Sequence, residues 1–191
     1  MARNREYDEN EVLRKAMELF WKQGYEKTSM QDLVEHMGIH RRSLYDTFGD
    51  KHALFMRGLE RYGEMVKSKI EKQIQPIGSV KQAIRRIFEI VIQQDEQQLI
   101  GCLMVNTAVE MAMHDEEVAE KVVESFSKTE NLFYELLQHG QQSGEISSQH
   151  DPKSLSQFLH NSLLGLRVLV KTTDDNKKLE SIIDMTVSVI D

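Results

Sequence analysis

The sequence is short of the features that crosslink or punctuate a chain. Its one cysteine, Cys102, excludes an internal disulfide framework and fits a reducing compartment. Two prolines and ten glycines in 191 residues favour long helices over a strand-rich fold with many tight turns. Long apolar runs are missing too: the best candidate, "LLGLRVLV", is short and interrupted by Arg167, so no membrane span is expected. The opening "MARNREYDENEV" has the basic start of a signal peptide without its apolar run. Positive charge is in deficit, 24 Lys and Arg against 31 Asp and Glu, for a net −7. Overall charge therefore gives no attraction to nucleic acid or an anionic membrane, and any nucleic-acid contact must be a local patch. A Gly-rich phosphate loop, a nucleophile–base set and a metal cluster are absent from the pattern, which argues against an enzyme and calls for no cofactor or metal. A soluble, cytoplasmic protein is the expectation.

What is present is helical periodicity supported by 40% hydrophobic residues. Val12, Leu13, Ala16, Met17 and Phe20 recur on one helix face, and Gly24 supplies a stop. A second helix follows "TSMQDLVEHMG", with Thr28 and Gln31, or Ser29 and Asp32, as the capping pair and Gly38 as its end. A third runs from about His40 to Thr47, placing Leu44 and Phe48 inward with Ile39. Later helices begin after Asp50, near Ser79, at the acidic Asp115 cluster and at "DP" 151–152. The count is about nine helices with no strand signal, an all-α protein.

The segment "GIHRRSLYDTFGDK", residues 38–51, sets two arginines before a tyrosine in this acidic chain. Two short helices joined by a tight turn make a helix-turn-helix, here about residues 29–48, whose second helix enters the major groove. At about 100° per residue, Arg42, Ser43, Tyr45 and Asp46 point away from the apolar side, with Arg41 near the edge. An arginine fork matches the two acceptors of guanine, whereas Thr28, Tyr45 and Lys51 are types suited to phosphates. Ser29, His40 and Ser43 complete the candidate DNA-binding set.

The frame over residues 16–55, "A…LFWKQGYEKTSMQDLVEHMGIHRRSLYDTFGDKHALF", resembles the tetracycline-repressor family of bacterial transcriptional regulators. It departs from the usual pattern at Leu33-Val34, a packing swap, and at His40, where a common cap is lost. The resemblance implies an all-helical homodimer. Residues 1–66 would form a DNA-binding domain, and residues 67–191 a domain that binds a small inducer and dimerises. The partner would be a double-stranded, (pseudo)palindromic operator, and the usual role is repression relieved by inducer.

Phe88, Ile92, Cys102, Met104, Asn106, Met111, Phe133 and Tyr134 are the candidate ligand pocket, with a plain core as the alternative. Cys102 reads either as a buried inert thiol or as a sensor of electrophiles. Residues 53–191 carry 15 basic and 21 acidic groups, a net −6, which favours a neutral or cationic inducer. Leu155, Phe158, Leu159, Leu163, Gly165 and Leu166, with Ile183 and Val187 on the last helix, form stripes suited to a four-helix dimer interface; burial within the monomer is the other reading. Glu110 and His114 read as a hydrogen-bonded surface pair. His36 and His40 flank Gly38 and share no helix face, so they are not metal ligands.

Overall fold

The computed structural model describes residues 7–93 and 101–191, and among these all regular structure is helical. Three short helices, α1 (Glu9–Gln23), α2 (Met30–Met37) and α3 (Arg41–Phe48), lead into the long α4 (Lys51–Ile74). Then follow α5 (Val80–Ile92), α6 (Leu103–Glu110), α7 (Glu116–Gln142), α8 (Pro152–Leu169) and α9 (Asn176–Val187), with a 3-10 turn at Ser188–Ile190.

Most of these helices are started by side chains. Asp8, Ser29, Asp50, Ser79, Asp115, Asp151 and Asp175 each accept a hydrogen bond from a first-turn backbone N–H. At α2 the Ser29–Asp32 pairing wins: Ser29 N–H donates to Asp32 at 2.8 Å and Asp32 N–H donates to Ser29 Oγ at 3.1 Å. Gly38 ends α2 in the left-handed region, φ 71° and ψ 31°, where a side chain would be strained. Among the described residues, no side chain caps α3 or α6, which begin after His40 and Cys102.

Two apolar clusters hold the helices together. The first joins α1, α2, α3 and the N-terminal part of α4, and it recruits Leu103, Met104 and Val105 of α6 and Val118 and Val122 of α7. The second joins α5, α8 and α9 around Phe88, Phe133 and Leu137, closed by Ile70 at the far end of α4. A remote carboxylate fixes the turn before α8 to the start of α5. Glu145 accepts from Ser79 Oγ at 2.5 Å and from the N–H groups of Val80 and Lys81 at 2.8 and 2.9 Å. Those bonds, the Ser79 hydroxyl foremost, hold its pKa below the ordinary value.

Candidate nucleic-acid interface

The outward face of α3 is built by what its inward face buries. Leu44, Phe48 and Ile39 are 0%, 4% and 8% exposed and lock the helix against α1, α2 and α4. Arg41, Arg42, Tyr45 and Asp46 are left in solvent, with Ser43 half-buried. The Arg41 guanidinium lies 5.9 Å from the Tyr45 ring centroid, and Arg42 Nε lies 3.7 Å from Asp46. Pairs this exposed contribute little, so both arginines are free to reorganise onto another anion. Because no side chain caps α3, its first-turn N–H groups are also open to a phosphate.

Residues that the sequence reading missed brace this helix from behind. Tyr7 Oη is hydrogen-bonded to Thr47 Oγ1 at 2.5 Å and donates to the Ser43 carbonyl at 3.4 Å. Arg57 sits over the Phe48 ring, 4.7 Å from its centroid, and pairs with Glu9 at 2.6 Å. The hydrogen bonds of Tyr7 and the Arg57–Glu9 pair span 36 to 48 residues of sequence, so no local pattern announces them.

Of the remaining DNA-binding candidates, Ser29 and His40 are exposed, and Lys51 Nζ is held 4.1 Å from the Tyr25 ring centroid at the start of α4. Thr28 needs correcting. It is fully buried, and its hydroxyl donates to the Gly24 carbonyl at 2.6 Å. It ties the end of α1 to the start of α2 and presents no surface to a phosphate.

The eight pocket candidates are not brought together. Cys102, Met104 and Met111 pack into the first apolar cluster, and Phe88 and Phe133 into the second. Asn106 accepts from Lys171 Nζ at 3.0 Å, and Tyr134 Oη accepts from Gln138 at 2.8 Å. Ile92 borders a shallow depression of about 580 Å³ between α5 and α9. A cleft of about 700 Å³ opens elsewhere, between α1, α4 and α5, with Arg167 of α8 in its wall, and none of the eight lines it.

The dimer candidates divide as well. Leu155, Leu159, Leu163, Leu166 and Ile183 are at most 9% exposed and belong to the chain's own core. They point inward because α7 already covers that side of α8. The outer side carries Phe158 (45% exposed), Gly165 and Val168 (49%), with half-buried Leu169 alongside. On α9, Met185 is exposed, and Ile182 and Val187 are half-buried.

Glu110 does not pair with His114. Its carboxylate receives two successive backbone N–H groups of the turn after α1, Tyr25 at 3.0 Å and Glu26 at 2.9 Å. Gly24 permits the approach, since a Cβ there would meet both oxygens at 2.9 Å. Nearby, His52 of α4 and Asp115 are hydrogen-bonded at 2.9 Å. The end of α6 is thereby fastened to the helix-turn-helix.

This arrangement of helices has counterparts among known proteins. The family model described as bacterial regulatory proteins, tetR family, matches residues 12–57, and the tetracyclin repressor-like C-terminal domain matches residues 80–186. The chain belongs to the TetR family. The HTH-type transcriptional regulator YezE of Bacillus subtilis is 37% identical, with all of both chains covered. The HTH-type transcriptional repressor ComR of Escherichia coli is 29% identical over 97% of this chain and 90% of its own. Among solved structures, a cysteine mutant of the TetR family regulator CifR, complexed with 26 bp operator DNA, has the same fold at a TM-score of 0.90. It is 24% identical, and all of both chains is covered. This TetR-family chain is thus a transcriptional regulator with a DNA-binding helix-turn-helix, and not an enzyme.

Proposed function

We propose that this regulator is a cytoplasmic repressor that binds a (pseudo)palindromic operator as a homodimer and leaves it when a small molecule binds. The observation that carries this reading is the solvent face of α3, where Arg41, Arg42 and Tyr45 stand together in a chain of net charge −7. Arg41 and Arg42 read base edges, while Tyr45, Ser43, Ser29, His40 and Lys51 contact the phosphate backbone. Residues 1–66 act as the reading head and residues 67–191 as the effector and dimerisation part. The repressor ComR and the operator complex of CifR support the same assignment by likeness.

The homodimer forms through the outer side of α8, Phe158, Gly165, Val168 and Leu169, joined by Ile182, Met185 and Val187 of α9. Nothing lies within 4 Å of a Cβ built at Gly165, so that position is open within the monomer and suits close helix approach by a second copy. Each chain contributes two helices to the interface.

The test is fluorescence anisotropy with duplexes from the intergenic region beside the protein's own gene, over a series of salt concentrations. A specific complex is expected, with affinity falling steeply as salt rises. Binding with no sequence preference, or none at all, would overturn the reading.

A further inference from the structure

We propose that the cleft between α1, α4, α5 and α8 is the effector site, and that Arg167 there holds the carboxylate of a small organic anion with an apolar or aromatic body. The inference rests on the regulator reading above and gives the chemical class of its effector.

Arg167 is 8% exposed, yet no hydrogen bond or ion pair joins its guanidinium to any described residue. A guanidinium stays charged at every physiological pH, and a buried charge without a partner is costly unless something completes it. A second unpartnered donor belongs to a residue of the same wall. The Trp21 indole N–H is buried with no partner, and its ring meets Tyr62 edge-on at 5.0 Å between centroids. The Tyr62 phenol is itself buried and hydrogen-bonded to Cys102 and the Leu103 backbone, and its burial, followed by its neighbour Cys102, raises its pKa, so it stays neutral behind the Trp21 ring. Arg167 and Trp21 carry N–H groups that no carboxylate among the described residues of the wall answers. A carboxylate matches the planar guanidinium fork with two parallel hydrogen bonds.

The wider lining agrees. Among the described lining residues, Arg14, Lys22 and Arg167 stand against one carboxylate, that of Glu18, which is paired with Arg14 at 2.6 Å. The local charge is positive, although residues 53–191 as a whole carry −6. Met17, Met65, Val66, Ile87 and Ile90 supply the apolar floor. A volume of about 700 Å³ falls within the range of sites for drug-sized molecules.

The cleft also has the position an effector site needs. Met17, Glu18 and Trp21 belong to α1 of the reading head, whereas Ile87 and Arg167 belong to α5 and α8. An occupant touches both parts, so its affinity differs between arrangements that move one against the other. That difference is what shifts the DNA-binding equilibrium.

Trp21 is the only tryptophan in the chain, so its fluorescence reports on the cleft directly. Benzoate, phenylacetate and octanoate, each beside its neutral amide, are titrated into the full-length parent, Arg167→Gln and Arg167→Lys. The expected result is a saturable fluorescence change with at least one acid. Affinity should be about tenfold weaker or more for its amide and for Arg167→Gln, and partly restored in Arg167→Lys. The same acid should weaken the parent's operator complex. An amide that binds the parent as tightly as its acid overturns the proposal, whether or not the variants fold. So does the absence of saturable binding by all three acids at millimolar concentration, or full affinity in a folded Arg167→Gln. A parent that binds operator but no acid leaves the regulator reading standing, whereas a parent that binds no operator defeats that reading independently of the titration.

Discussion

The two apolar clusters divide the chain differently from its order. The second is made wholly of segments from residue 66 onward: the end of α4, then α5, the later turns of α7, α8 and α9. The first contains the reading head, but it is completed by α6 and the start of α7, which come well after residue 66 in the sequence. The head is therefore finished by the effector part. A displacement of α6 cannot leave the reading head untouched, because packed interiors pass strain to their neighbours. Glu110 strengthens the link by holding two backbone N–H groups of the head's first turn.

The hardest test of this comparison is truncation of a side chain that belongs to one part in sequence and to the other in packing. Met104→Ala should destabilise the protein by about 2–5 kcal/mol through the cavity it leaves. It should also weaken operator binding, although Met104 belongs to α6 and not to the helix-turn-helix. Calorimetry and anisotropy together check this, and unchanged operator affinity in the folded variant would mean that the head is autonomous. Arg42→Ala probes the opposite case, a head residue on which no packing depends. It should cost about 1–3 kcal/mol of operator binding and relax preference at one base per half-site, with no change in Tm. Phe158→Glu places a charge on the outer side of α8, and sedimentation should find a folded monomer with reduced operator affinity. A dimer that persists would move the interface elsewhere.

Smaller effects sharpen the picture. Glu110→Ala leaves the Tyr25 and Glu26 N–H groups without their acceptor and should cost about 1–3 kcal/mol. It should also reduce the effector's ability to release DNA by more than that loss of stability accounts for, as read from effector titrations of the operator complex. The smallest effect concerns His160, whose ring meets Phe126 edge-on at 5.4 Å and whose Nε2 is buried without a partner. Burial, and then the Arg167 charge, hold its pKa below the ordinary value, with Glu130 opposing. The unfolded chain therefore takes up a proton near pH 6.5 that the folded chain refuses. This contribution is complete above that pH and is lost as pH falls from about 6.5 toward the folded-state pKa. His160→Phe should flatten the fall in Tm between neutral and mildly acidic pH, and parallel profiles would assign that fall to other groups.

Much of this was legible in one dimension. Helix starts were marked by Asp and Ser caps, Gly38 marked the turn, and the spacing of Leu44 and Phe48 dictated which side of α3 faces solvent. Such features depend on neighbours within a few residues, and helical geometry is the same everywhere. Tertiary structure alone decided the rest. In sequence α8 carries a wide apolar stripe; the packing of α7 determined that Leu155, Leu159 and Leu163 face inward and Phe158 and Val168 outward. Thr28 and Ser29 are adjacent hydroxyls, and only the carbonyl of Gly24 decided that the first is buried. Glu110 found its partners 84 and 85 residues away. The summed charge of residues 53–191 favoured a neutral or cationic effector, whereas folding gathered cations around one cleft and left Arg167 there without a counter-ion among the described residues. Net charge sums over a domain, but a binding site experiences only what the fold brings within a few ångströms.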